Sequence, residues 1–130
     1  GIDNRGIIRS GPWRRKSMGK DRTFPKDVDP KSMEIALETL EDLSTRISQK
    51  LQSKSYHFRT ITVKIRYRDY TTIQRSRTLP VSTNNPDTLY KTVSSLFTEH
   101  RKSDIPLRLV GVRVTNLTRM RGQVSLAQYF

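Results

Sequence analysis

Residues 21–30 read DRTFPKDVDP, and residues 77–86 read RTLPVSTNNP. Each runs arginine, threonine, an apolar residue and proline, then a short polar loop, then Asp-Pro or Asn-Pro. Asp29-Pro30 and Asn85-Pro86 place a side-chain acceptor before a proline, the arrangement expected where a helix begins. After the first, Ala36, Leu40, Leu43, Ile47 and Leu51 recur at helical spacing and form one apolar stripe. Leu89, Val93, Leu96 and Phe97 repeat the pattern after the second. Two helices are predicted, over residues 30–54 and 86–101.

Strand patterns flank both helices. In FRTITVKIRYR (58–68), Ile61, Val63, Ile65 and Tyr67 alternate with Thr62, Lys64, Arg66 and Arg68. In LRLVGVRVTNL (107–117), Val110, Val112 and Val114 share a face opposite Gly111 and Arg113. KSMGKDRTF and TTIQRSRTL, which lead into the two turns, are β-rich as well. The chain thus reads as strand, loop, helix and strand, written twice and joined by a tight RDYTT connection. Right-handed crossovers give an α+β fold of ferredoxin-like topology: two β-α-β repeats, a four-stranded antiparallel or mixed sheet, and both helices on one face. The other face stays open.

One detail conflicts with simple alternation. Arg75 and Arg77 share parity with Ile73 and Leu79, and Lys20 and Arg22 share it with Met18 and Phe24. Burying an unpaired arginine is too costly. Either the first and third strands are bulged or strongly twisted, or these arms reach past the sheet edge.

With 130 residues, of which 33% are apolar, the chain suits one domain with an economical core. Twenty-five Lys and Arg against twelve Asp and Glu give a net charge of +13, which points to a polyanionic partner. Asp27, Asp29, Glu34, Glu38, Glu41 and Asp42 gather half of the acids on the first helix and its approach, so the open sheet face should be strongly positive. No apolar run approaches the length of a membrane span and no basic helix carries a broad apolar face, so no membrane partner is expected. Cysteine is absent, which removes disulfides and thiolate chemistry, and an intracellular setting fits best.

Glu34 and Glu38, one helical turn apart with Glu41 and Asp42 nearby, could hold a metal. They also fit a solvated acidic face favoured by the helix dipole, which is the preferred reading. His57 and His100 are isolated. No phosphate-binding loop, dinucleotide turn or nucleophile elbow occurs, so no catalytic residue, metal site or cofactor is expected in this chain. Basic residues interleaved with Thr, Ser and Gln on a sheet face are instead the groups that contact phosphates. Few aromatics accompany them, so duplex backbone tracking is expected rather than base stacking. Ser17 offers a hydroxyl there, and Gly19 permits close approach of the main chain.

RRKSMGKDRTF (14–24), YRDYTTIQRSRTLP (67–80) and LRLVGVRVTNL (107–117) together resemble the little finger domain of Y-family translesion DNA polymerases, nearest the DNA polymerase IV (DinB) branch. The resemblance carried by these motifs implies three segments: a linker over 1–13, a folded domain over 14–118 and a tail over 119–130. Trp13, at the linker's end, is expected to pack on the domain. The resemblance implies a domain lying in the DNA major groove and contacting phosphates of both strands. Carried over residue by residue, it implies DNA contacts at Ser17, Gly19, Lys20, Thr23, Arg75, Arg77, Arg108 and Arg113. Leu109 departs from a basic residue sometimes found there, so one contact is missing. Charge and alternation add Lys64 and Arg66, and Arg66, Arg77 and Arg113 are expected on one gripping surface. The resemblance places the Mg²⁺-binding carboxylates of nucleotidyl transfer in a palm domain, and no stretch here matches them. It also implies a cytoplasmic, chromosome-associated setting and contact with the rest of the polymerase.

The last eight residues, QVSLAQYF (123–130), fit the sliding-clamp box Gln-x-x-aliphatic-x-x-aromatic-aromatic. Gln123 would hydrogen-bond in a polar pocket, while Leu126, Tyr129 and Phe130 fill an apolar one. The same turn could also dock on this domain. Two other classes stay open: a free-standing RNA- or ribosome-binding α+β module, and a small metal-dependent enzyme using the helix acids.

Overall fold

The computed structural model describes residues 17–119. Strand β1 (Ser17–Val28) leads to helix α1 (Met33–Ser53), then to strands β2 (Tyr56–Tyr67) and β3 (Thr72–Thr83). Helix α2 (Pro86–His100), strand β4 (Leu107–Thr115) and the two-residue β5 (Thr118–Arg119) complete it. The strands lie in the order β1-β4-β2-β3, every pairing is antiparallel, and β5 adds a short fifth strand beside the start of β2. The expected α+β class and two-layer arrangement are present. β2 and β4 are central, so β1 and β3 form the edges.

The helices cover one face of this sheet. Ala36, Leu40, Leu43, Ile47 and Leu51 of α1 are buried, as are Leu89, Val93, Leu96 and Phe97 of α2. They meet Ile61, Val63, Ile65 and Tyr67 of β2 and Val110, Val112 and Val114 of β4 in one core. Both central strands therefore alternate as their sequences predict. Tyr67 closes one end of the core: its ring is fully buried, and its hydroxyl accepts a 2.7 Å hydrogen bond from the Lys102 N–H. Burial pushes the Tyr67 phenol above its ordinary range, with this hydrogen bond opposing the shift.

The two helix starts differ. Asn85 Oδ1 accepts from the N–H groups of Asp87 and Thr88 at 2.7 and 3.2 Å, with Pro86 opening α2 as expected. Asp29 does not cap α1. Its carboxylate accepts from the Lys31 N–H and its carbonyl from the Ser32 N–H, both at 2.8 Å, forming a turn that delays the helix to Met33. The cap position falls to Ser32, which makes no capping side-chain bond. A local Asx turn here competes with the helix and takes its first turn.

The edge positions of β1 and β3 resolve the misplaced arginines. Register is regular from Ser17 to Thr23 and from Thr72 to Thr78, and the bulges fall beyond those stretches. Strict alternation therefore holds, and Arg22 and Arg77 do lie on the helix side. At an edge, a long side chain can run around the helix rather than into the core. Arg22 Nη2 reaches Asp42 Oδ2 at 2.8 Å, and Arg77 Nη2 reaches Glu99 Oε1 at 3.1 Å.

Candidate nucleic-acid interface

The face left bare by the helices is a grid of four rows, each crossing β1, β4, β2 and β3 in turn. Its rows are Ser17, Thr115, Thr60, Thr78; Gly19, Arg113, Thr62, Ser76; Asp21, Gly111, Lys64, Gln74; and Thr23, Leu109, Arg66, Thr72. All three cations of this grid stand on the central strands. The edges contribute hydroxyls, one amide, a glycine and one carboxylate.

Hydroxyl pairs knit the β2–β3 side: Thr60 with Thr78 at 3.1 Å, and Thr62 with Ser76 at 2.7 Å. Arg66 Nε donates to Thr72 Oγ1 at 3.0 Å, and Arg113 Nη1 donates to Ser17 Oγ at 3.2 Å. Neither guanidinium has a carboxylate partner among the described residues. Each holds one neutral hydroxyl, which orients the fork and leaves further N–H donors for an anion. Gly19 stands opposite Arg113. A Cβ there would lie 3.0 Å from the Val112 carbonyl oxygen and 3.3 Å from Arg113 Cβ, so the site is closely fitted around hydrogen.

The helix side presents its cations differently. Asp42 receives both Arg22 and Arg46, and the hydrogen bond from Arg22 leads in holding its carboxyl below the usual range. Glu99 accepts from Ser95 Oγ at 2.7 Å and from Arg77. The serine hydroxyl comes first in depressing the Glu99 pKa, followed by the Arg77 charge.

The structure thus divides the candidate DNA contacts. Ser17, Gly19, Thr23, Lys64, Arg66 and Arg113 come together on the open face. Lys20 and Arg75 are exposed on the edge strands but belong to the helix-side parity, and Arg75 Nη1 bonds the Gln74 carbonyl at 2.7 Å. Arg108 occupies an irregularity in β4, where Tyr67 pairs with Leu107 and Arg66 with Leu109. Its Nη1 lies 3.7 Å from Asp27 Oδ1. The expectation that Arg66, Arg77 and Arg113 share one surface is corrected: Arg77 lies behind the sheet, held by Glu99 and Ser95. Gln123, Leu126, Tyr129, Phe130 and Trp13 fall outside the described residues.

The face is also less uniformly positive than expected, because Asp21 stands on it. Asp21 Oδ2 lies 3.0 Å from Lys64 Nζ. Its parity with Ser17 and Gly19 on β1 was the available signal. Among the described residues, no three His, Cys, Asp or Glu side chains gather as a metal site, and no helix is long and apolar enough to cross a membrane.

These features define a two-layer α+β domain with a 1-4-2-3 antiparallel sheet and an open face of hydroxyls and of guanidiniums that have no carboxylate partner among the described residues. Residues 15–127 match the impB/mucB/samB family C-terminal domain, and the chain belongs to this family, the little finger domain of the Y-family DNA polymerase IV branch. It is 36% identical over 120 residues to a DNA polymerase IV of Methanoculleus marisnigri, covering 88% of this chain and 31% of that protein. It is 35% identical over 104 residues to the DNA polymerase IV of Listeria monocytogenes serotype 4a, covering 79% and 28%. The chain therefore spans about a third of the length of these relatives.

Two solved structures show the same fold at low identity. One is the little finger domain of PolIV, solved in a complex with the beta-clamp processivity factor. It matches with a TM-score of 0.56 at 21% identity, covering 86% of this chain and 99% of that one. The other is Dbh DNA polymerase in a post-insertion binary complex, with a TM-score of 0.61 at 15% identity, covering 80% and 29%.

Proposed function

We propose that this domain grips duplex primer–template DNA through backbone phosphates in the major groove, with little dependence on sequence. The observation that carries this reading is the pair Arg66 and Arg113. Neither has a carboxylate partner among the described residues, each is oriented by one hydroxyl, and both stand on central strands of the open sheet face. Lys64, Ser17, Thr23 and the main chain at Gly19 add contacts around them. Lys20 and Arg75 flank the face from the two edges, and Arg108 stands at its end.

The domain would serve an error-prone translesion polymerase whose palm, fingers and thumb lie elsewhere in a longer protein. Nucleotidyl transfer, and the Mg²⁺ it uses, belong to that remainder, in a cytoplasmic, chromosome-associated setting. We also propose that Gln123, Leu126, Tyr129 and Phe130 recruit the sliding clamp. The clamp named with a related little finger supports this, and tethering would supply the processivity that a weak DNA grip lacks.

Competition between duplex DNA and single-stranded RNA of equal length tests the DNA reading. Tighter binding of the duplex is expected. A preference for the RNA would replace the reading with an RNA-binding module.

A further inference from the structure

Among the described residues, the four rows of the open face hold no aromatic side chain, but the hairpin joining β2 to β3 does. Tyr70 at its tip is 68% exposed and has a φ of 68°. Glycine, asparagine or aspartate usually fills such a left-handed position, and a bulky aromatic there is uncommon. Backbone strain of this kind at an exposed residue is a pointer to a use for the side chain.

The turn holding Tyr70 is well fixed. The Tyr67 N–H donates to the Thr71 carbonyl and the Tyr70 N–H to the Tyr67 carbonyl, both at 2.9 Å. Asp69 accepts from Thr71 Oγ1 at 2.6 Å and from the Thr71 N–H at 3.0 Å. One side of the Tyr70 ring is occupied: the Arg108 guanidinium lies over it, 4.9 Å from the centroid. Arg108 is in turn steered by Asp27, which also draws in Arg68 at 3.6 Å. This makes a braced platform of ring and guanidinium with the Arg68 guanidinium beside it. It stands just past the row that holds Arg66.

We infer that Tyr70, backed by Arg108, stacks an unpaired nucleobase of DNA at the end of the duplex-gripping face. A flat ring with a cation on its far side suits the π-face of any base, and Arg68 is placed to meet the adjoining phosphate. The inference rests on the nucleic-acid reading of the open face. It adds a second mode to that reading: phosphate contact along the duplex, and base stacking where the duplex ends.

The test compares a short blunt duplex with the same duplex carrying a 5′ overhang of a few thymines, using the 130-residue chain. Wild type should bind the overhang duplex about tenfold more tightly, equivalent to about 1.4 kcal/mol. Tyr70→Phe should keep that preference. Tyr70→Asn, which suits the left-handed backbone and so preserves the turn, should lose it while blunt-duplex affinity stays unchanged. Equal affinity of wild type for the two DNAs would overturn the inference, as would a preference that survives in Tyr70→Asn. If the blunt duplex fails to bind but the overhang still binds through Tyr70, the stacking site stands and the duplex grip falls.

Discussion

Asp21 and Lys64 stand on strands that are not neighbours, yet Asp21 Oδ2 and Lys64 Nζ lie 3.0 Å apart. The strand between them contributes Gly111 to the same row, and a Cβ at that position would collide with the Asp21 carboxylate. Glycine thus lets an acid lean across the sheet and mask one of three cations on the open face. Asp21→Asn should release Lys64 and remove the one carboxylate that the described residues place on this face. Duplex affinity should rise, and the log–log salt slope should steepen by up to about one unit. Titration of a labelled duplex at several salt concentrations reads both quantities, and unchanged values would remove Lys64 from the contact list.

The cap of α2 and its missing counterpart on α1 give a paired test of stability. Asn85→Ala deletes the acceptor for two N–H groups and should cost about 1 kcal/mol. Ser32→Ala removes no capping bond and should leave stability close to wild type. Urea unfolding of both variants compares the two effects directly.

Acid should loosen the helix-side ion pairs before the sheet core yields. Asp42 and Glu99 have carboxyl pKa values below their ordinary ranges, so the unfolded chain binds more protons than the folded one in that interval. Their contribution is present above the ordinary carboxylate range and is lost as pH falls through the lowered folded values, below about pH 4. Melting temperature should therefore decline over that window, and less steeply in Asp42→Asn and Glu99→Gln. Curves of equal steepness in all three proteins would show that these pairs do not set the acid response.

Clamp recruitment should be separable from DNA binding. Phe130→Ala is expected to abolish binding to the sliding clamp and to leave duplex affinity unchanged. Surface plasmon resonance on immobilised clamp, with and without the substitution, decides it; retained clamp affinity would refute the role given to the tail.

Much of this fold was legible because its hydrophobic periods are clean. The stripe from Ala36 to Leu51 and the alternation of Ile61, Val63 and Ile65 left little freedom about what packs where. The start of α2 was legible from its cap, since Asn85 and Pro86 agree on one conformation. Asp29-Pro30 looked equivalent and was not. Asp29 satisfies the local N–H groups of a turn, and nothing in the neighbouring residues distinguishes that use from a cap.

Less of the site is legible in the sequence. Its central-strand members, Arg66 and Arg113, followed from alternation. The direction of Arg22 and Arg77 depended on strand order, which places β1 and β3 at the edges and gives these side chains a route to Asp42 and Glu99. Local sequence carries no record of which strands end up outermost. Tyr70 belongs to the hairpin tip and not to the sheet, so strand alternation carries no signal for it.

The difference between masked and unmasked arginines is what the proposed grip depends on, and matched double variants measure it most directly. Arg66→Ala/Arg113→Ala and Arg22→Ala/Arg77→Ala remove equal charge from the two sides of the sheet. For a wild-type log–log slope near −4 to −5, set by about four to six phosphates, the open-face pair should reduce the slope by about two units. The helix-side pair should leave it close to wild type. Equal losses in both variants would mean that duplex DNA responds only to total charge, and the open face would have no special part in holding it.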